Sequence, residues 1–377
     1  MTKDGATDKI AISFGKEVRA IVRKAFCALL LSCLLLLGCL VMSNTEAVAA
    51  TPDPTPTLTP VPTDTPVPPQ PMEKHTIEEV ITPTPTVPPT PSPTPSPTPT
   101  PTPEPTPFTL VWMSDTQNYT RNDPEVFFAI RDWILDNREK ENIQFVAHTG
   151  DVVDGFSPFM WGNAAEALVP ILEVLPGMVV SGNHDISKSG SQYYFLQQPY
   201  AQMVQKEGQI FQDGSAAYVT FRAAGMDFLV FGVGYEVVCT DWMNEVISEH
   251  PDHVVITVLH KGLQETGAFT KETRAIFLDV MPGCPNFRLI LCGHQRGSMT
   301  RTEWFDDDGD GEPERSVTIM MYNFQDDRMK GKGFLRLLRF DPMSRNIEVS
   351  TYSPWFDQWG YEKATEEENH FVLENAW

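Results

Sequence analysis

Twenty-two of the chain's 33 prolines fall within residues 51–107. Proline lacks a backbone N–H and has a fixed φ, so a stretch this rich in Thr-Pro joins neither a helix interior nor a sheet and buries almost nothing apolar. It reads as a polyproline II stalk that extends by about 3 Å per residue. Met72–Ile81 interrupts it but is too short to fold alone. A packed domain is therefore sought only in residues 108–377, long enough for one large domain or two small ones.

Upstream of the stalk, Lys16, Arg19, Arg23 and Lys24 precede the 18-residue apolar run Ala25–Met42, and Ala47-Val48-Ala49-Ala50 follows. Basic region, apolar core and small-residue end make residues 1–50 an export signal or membrane anchor. Three fates compete: cleavage after Ala49, retention as an anchor, and lipidation at Cys39 within Leu36-Leu37-Gly38-Cys39. Leu40-Val41-Met42 counts against lipidation, and a stalk, useful between two attached things, counts against simple release. The expectation is an exported, extracellular or cell-surface protein, with membrane or cell-wall attachment through its N-terminus.

The net charge of −22 disfavours nucleic acid, because an acidic surface repels a phosphate backbone. Any anionic substrate would need a local positive centre. Of six cysteines, Cys27, Cys33 and Cys39 lie in the apolar run, leaving Cys239, Cys284 and Cys292. They contain no CxxC, so structural zinc is not expected, and one bridge among the three stays open.

From Phe108 onward, apolar runs alternate with helical periodicity. Strands are expected at Phe108–Met113, Gln144–His148, Met178–Ser181, Ala217–Phe221, Asp227–Gly232, His253–Leu259 and Phe287–Cys292. Asp123-Pro124 starts a helix carrying Val126, Phe127, Ile130, Trp133 and Ile134 on one face, and further helices are expected at Ala164–Leu175, kinked or shortened by Pro170, at Trp242–Ile247 and at Glu272–Val280. Four later strand candidates, around Thr302, Thr318, Leu335 and Val349, have no helix between them. Parallel βαβ units followed by an antiparallel run predict an α/β (α+β) sandwich.

Five polar clusters follow apolar strands: Ser114-Asp115-Thr116-Gln117, Gly150-Asp151-Val152-Val153-Asp154, Gly182-Asn183-His184-Asp185, Leu259-His260-Lys261 and Gly293-His294-Gln295-Arg296. Loops past the carboxyl ends of adjacent strands converge, so the five share one cleft. Carboxylate, amide and imidazole together suit a divalent metal, and a glycine before the ligand lets backbones approach.

These blocks resemble the calcineurin-like metallophosphoesterase superfamily, whose pattern is DxH, GDxxD, GNH(D/E), a strand-end H and GHxH in that order. The resemblance is strongest to exported bacterial members with SDTQ in the first block and a late DDDGDG segment. It implies two mixed sheets flanked by helices around a site for one or two divalent ions (Mn, Fe, Zn or Mg). Carried over, Asp115, Gln117 and a bridging Asp151 hold the first metal, and Asp151, Asn183, His260 and His294 hold the second. Asp154 orients His184, which protonates the leaving oxygen.

Two positions depart from the pattern. Gln117 stands where a histidine is usual, and its carbonyl still ligates a hard cation. Arg296 replaces the second His of GHxH, and a guanidinium cannot coordinate metal. Three readings stay open: a one-metal phosphoesterase in which Arg296 grips a phosphate oxygen, a weakened two-metal site, and a dead enzyme. The function that the resemblance implies is exported, metal-dependent hydrolysis of a phosphomonoester or phosphodiester, with a phosphorylated small molecule or a surface phosphoester as the partner; the alternative is a catalytically weakened cell-surface ligand-binding module on the same fold.

Other motifs read more plainly. Asp306, Asp308 and Asp310 begin a calcium-loop pattern whose twelfth position is Val317 rather than glutamate, so a solvated acidic turn competes with a weak calcium site. His148 reads as a core histidine, and Asn118-Tyr119-Thr120 as a chance sequon. Trp161, Tyr193, Tyr194 and Tyr200 line a cleft or pack.

Overall fold

The structure, a computed structural model, describes residues 105–206, 209–325 and 333–377. The export segment at 1–50 and nearly all of the stalk at 51–107 lie outside these residues. No helix among the described residues is long and apolar enough to cross a membrane.

In chain order the elements are β1 (Phe108–Met113), α1 (Gln117–Asn122), α2 (Pro124–Asn137), β2 (Ile143–His148), α3 (Pro158–Leu172), β3 (Gly177–Val179), α4 (Tyr193–Leu196) and α5 (Pro199–Val204). There follow β4 (Ile210–Phe211), β5 (Ala216–Ala223), β6 (Met226–Val233), α6 (Thr240–Glu249), β7 (Val254–Leu259), α7 (Lys271–Asp279) and β8 (Phe287–Cys292). The chain ends with β9 (Gly297–Phe305), β10 (Arg315–Asn323), β11 (Leu335–Asp341), β12 (Asn346–Ser353), β13 (Gln358–Trp359), α8 (Glu366–Asn369) and β14 (His370–Leu373).

Two mixed sheets result. One has the order β13-β12-β11-β1-β2-β3 with β14 also on β12, and the other β4-β5-β6-β7-β8-β10-β9. Parallel pairing joins β1, β2 and β3 in the first sheet and β6, β7, β8 and β10 in the second; the remaining pairs are antiparallel.

The period of two along each strand builds four layers. Phe108, Leu110 and Trp112 of β1 meet Phe228 and Val230 of β6, Ile256 of β7 and Leu289 of β8 in a core between the sheets. Val111 and Met113 point the other way, onto Phe127, Ile130 and Ile134 of α2 and Ala164 and Leu168 of α3. On the far side, Leu229 and Phe231 cover Met243 and Val246 of α6 and Ile276 of α7.

Helix α3 begins six residues earlier than its expected start at Ala164, because Pro158 opens it and Met160 and Trp161 continue the buried stripe. Trp161 and Tyr200 are therefore packed in the core, whereas Tyr193 and Tyr194 are exposed. Pro170 lies in the last turn, where it cannot donate to Glu166 four residues back; Arg131 Nη1 donates to that carbonyl instead at 3.2 Å. Trp133 is half-buried and packs against the edge of the same core cluster. Cys239, Cys284 and Cys292 are all buried free thiols, so the open disulfide does not form.

Candidate metal centre

Asp115, Asp151, Asn183, His260 and His294 follow β1, β2, β3, β7 and β8, each at the strand's carboxyl end. The chain turns sharply there: Asp115, Asp151 and His294 all adopt left-handed φ values, of 52°, 51° and 69°. Non-glycine residues rarely sit there, and three together at strand ends mark a site that the surrounding structure enforces. The two glycines of GNH and GHQ serve close approach. A Cβ on Gly182 would overlap the Asp151 carboxylate and backbone N–H, and one on Gly293 would overlap Ser114 and Asp115.

Four ligand atoms crowd together at His260 Nε2. Asn183 Oδ1 lies 3.0 Å away, His294 Nδ1 3.0 Å and Asp151 Oδ2 3.4 Å. The other ring nitrogen, Nδ1, donates to the Thr149 carbonyl at 2.8 Å, which fixes the ring with Nε2 facing the cluster. Asp151, His260 and His294 offer ligand atoms all within 4.8 Å of one another. Burial alone would lower the His260 imidazole, yet the charge and hydrogen bond of Asp151 and the charge of Asp115 lift it to about 9. Burial, with His260 and Lys261 beside it, pushes His294 down to about 4. Burial also opposes ionisation of Asp151, but His260 and the His184 amide hold its carboxyl below the usual range.

The Asp115 side is less complete. Asp115 Oδ2 accepts from Ser114 Oγ at 2.5 Å and from the His294 amide at 3.1 Å, while Oδ1 is buried without a partner. Gln117 Nε2 donates to Asp151 Oδ2 at 3.2 Å, leaving Oε1 equally buried and unpartnered. Burial, reinforced by Asp151, pushes Asp115 up to about 7. Two orphaned buried oxygens and a carboxyl raised by burial fit a cation held by Asp115, Gln117 and Asp151.

His184 and Asp154 stand beside the cluster. His184 Nδ1 lies 2.7 Å from Asp154 Oδ1, and its Nε2 is 3.9 Å from Asp151 Oδ2. Arg121 of α1 pairs with the second Asp154 oxygen, a partnership the sequence does not signal because α1 carries no motif. Asp185 is a second residue that motif reasoning assigns no role, although it closes the GNHD block. It is fully buried and accepts from the amides of Val152, Val153 and Gly182 at 3.1, 2.8 and 2.8 Å, tying two of the ligand loops together.

His148 is a core histidine as expected: its Nδ1 accepts from the Gly150 amide, its Nε2 lies 2.9 Å from Thr116 Oγ1, and burial holds it down at about 3. Arg296 is exposed and lines a cleft of about 380 Å3 with Asn323 and Gln325. Gln325 accepts from Asn118 at 2.7 Å, which places this cleft on the Gln117 side of the cluster. In the acidic loop, Glu314 rather than Val317 joins Asp306, Asp308 and Asp310, and Val317 is buried in β10. Asp306 caps the amides of Gly309 and Gly311, and Asp308 caps that of Asp310, as a solvated turn does. Thr120 of the sequon is fully buried.

The fold is a two-sheet α/β sandwich whose strand ends gather carboxylate, amide and imidazole groups, a donor set suited to a divalent metal. The chain belongs to the calcineurin-like phosphoesterase family, whose model matches residues 108–296. It is 33% identical over 263 residues to YvnB of Bacillus subtilis (strain 168), covering 67% of this chain and 20% of that protein. The chain thus spans about a fifth of the length of that relative. Among solved structures it is similar to GAP50, the anchor in the inner membrane complex of Plasmodium, with a TM-score of 0.44 and 10% identity over 71% of this chain and 89% of that one. It is also similar to TT1561 of Thermus thermophilus, with a TM-score of 0.40 and 15% identity over 66% of this chain and 100% of that one.

Proposed function

We propose that the chain is an exported phosphoesterase that hydrolyses a phosphomonoester or phosphodiester with divalent metal. The observation that carries this reading is the convergence of Asp151, Asn183, His260 and His294 on one point, beside the orphaned oxygens of Asp115 and Gln117. Divalent ions in such a donor set neutralise phosphate charge and lower the pKa of water towards neutrality. Asp151 is placed to serve both halves of the site, since Oδ2 faces His260 and Gln117 while Oδ1 is held by the His184 amide at 2.9 Å. His184, with Nδ1 engaged by Asp154, presents Nε2 towards the cluster and delivers a proton to the departing oxygen. Arg296 gives the cleft on the Gln117 side a permanent positive charge for a phosphate oxygen.

A ligand-binding module without turnover has no use for a proton donor. The Asp154–His184 pair therefore favours the enzyme over that alternative. The test is hydrolysis of p-nitrophenyl phosphate and bis(p-nitrophenyl) phosphate after chelation and resupply of Mn, Fe, Zn or Mg. Activity that vanishes with chelator and returns with metal is expected. No hydrolysis of either ester with any of the four would defeat the reading.

Export and attachment rest on the basic and apolar pattern of residues 16–42 and on the stalk. The full chain is expected to fractionate with membranes, and a chain starting at Phe108 to be soluble. Mature protein in culture fluid beginning at Ala50 would show release by cleavage instead.

A further inference from the structure

A pocket of about 630 Å3 opens beside the metal cluster, lined by Glu236, Lys261, Gln264, Thr270, Glu272 and Gln295 among others. It adjoins the cluster directly, because Lys261 follows His260 and Gln295 follows His294. Tyr235 packs beside both histidines, its ring centroid 5.9 Å from that of His260 and 6.2 Å from that of His294. Burial raises the Tyr235 hydroxyl, and the carboxylates of Glu236, Glu272 and Asp151 raise it further, so it feels the pocket and the cluster together.

The wall of this pocket is built in advance. Thr270 Oγ1 donates to the Lys261 carbonyl at 2.9 Å, and Arg301 Nη1 donates to the Gly267 carbonyl at 2.8 Å. The same guanidinium covers the Phe269 ring at 3.9 Å. These contacts hold the 261–270 loop without help from a ligand.

Glu272 is the unusual group. It is 8% exposed, lines the pocket, and among the described residues no hydrogen bond or ion pair meets its carboxylate. Packing covers the rest of its side chain, while the carboxylate opens to the pocket from the first turn of α7. Lys261 stands on the metal side, close enough to help hold His294 down, whereas Lys271 and Glu265, which also line the pocket, are exposed at its rim. The pocket is therefore dipolar, with an ammonium next to the metal ligands and carboxylates at Glu236 and Glu272.

Building on the phosphoesterase reading, we propose that this pocket selects phosphoesters carrying a primary ammonium on the esterifying alcohol. Lys261 faces the phosphate, and Glu272, with Glu236 nearer the rim, receives the ammonium. Carboxylates have acceptors only, and a primary ammonium has donors only, so the match is specific against an uncharged chain of the same length.

The test compares kcat/KM of the metal-supplemented full chain for 2-aminoethyl p-nitrophenyl phosphate and n-propyl p-nitrophenyl phosphate. Both release p-nitrophenolate, so they differ only at the ammonium. If only p-nitrophenyl phosphate is turned over, the monoesters 2-aminoethyl phosphate and n-propyl phosphate take their place. The ammonium ester should be favoured about tenfold or more, and Glu272→Gln should bring that ratio towards one. Should Glu272→Gln fail to fold, Glu236→Gln is expected to lower the same ratio. Equal kcat/KM for the two esters, or a preference that survives the substitutions, overturns the proposal while leaving the phosphoesterase reading standing. Absence of hydrolysis for every ester, bis(p-nitrophenyl) phosphate included, removes both.

Discussion

The Asp154 carboxylate is shared between His184 and Arg121: Oδ1 lies 2.7 Å from His184 Nδ1, and Oδ2 is held by the Arg121 guanidinium. Arg121 is itself braced by Asn118 Oδ1 at 3.0 Å. An acceptor carboxylate on Nδ1 fixes the proton there, so the neutral ring turns an unprotonated Nε2 towards the metal ligands and the charged ring turns a donor towards them. Imidazole on an exposed loop acquires a defined direction in this way.

Because that direction matters only when a proton must be delivered, the loss in His184→Ala should depend on the leaving group. Turnover of esters with alkoxide leaving groups should fall by about 10²–10⁴-fold. Release of p-nitrophenolate, which needs no proton, should fall far less. Equal losses on both substrate classes would remove the role given to His184.

Asp185 predicts a stability effect at a residue that touches no ligand position. Its two oxygens accept from three backbone amides on the GDVVD and GNHD loops. An asparagine offers one carbonyl oxygen and turns its amide N–H2 against at least one of those donors. The cost in Asp185→Asn is expected at about 1.5–3 kcal/mol, read from the denaturant midpoint. Metal retention should fall with it, since Asp151 lies within the loop that Asp185 ties down. An unchanged midpoint would mean that the loops hold without this clamp.

Much of this is legible in the chain, for physical reasons that differ by element. Strand β8 matches its expected bounds residue for residue because Phe287–Cys292 is a largely apolar run between Asn286 and Gly293. The ligand loops are legible because cation chemistry restricts side-chain types and close approach demands Gly182 and Gly293. The start of α3 escapes the sequence because Trp161 invites a cleft reading, whereas its position one turn before Ala164 buries it. Short edge strands such as β4 and β13, of two residues each, carry too little pattern to stand out. Arg121 and Glu272 owe their meaning to contacts across the fold, and nothing local distinguishes them from surface charges.

The metal cluster also predicts a proton balance. In the metal-free protein His260 is raised to about 9 by Asp151 and Asp115, from an ordinary value of 6.5. A raised imidazole favours the folded metal-free state below its unfolded value, and this contribution is lost as pH rises through about 9. If His260 Nε2 holds a divalent ion, it would give up its proton to do so, so uptake at about pH 7.5 should release close to one proton per ion, and affinity should rise with pH up to about 9. Calorimetric titration in buffers of different ionisation enthalpy measures the release. Uptake without proton release would show His260 to be already neutral.

Arg296 leads to the last prediction, on metal stoichiometry. Asp151, Asn183, His260 and His294 form a complete set of donors. The neighbouring position has Asp115 Oδ1, Gln117 Oε1 and the shared Asp151 carboxylate, and the last block supplies Arg296 where the family pattern has an imidazole. A guanidinium donates its N–H groups and accepts none, so a second cation there loses a ligand and gains a fixed positive charge in the adjoining cleft. The purified protein should therefore carry close to one transition-metal equivalent after dialysis, and Arg296→His should raise this towards two. Elemental analysis of both proteins decides it. Two equivalents in the unmodified chain would mean that the Asp115 and Gln117 oxygens suffice to hold the second ion and that Arg296 serves the substrate alone.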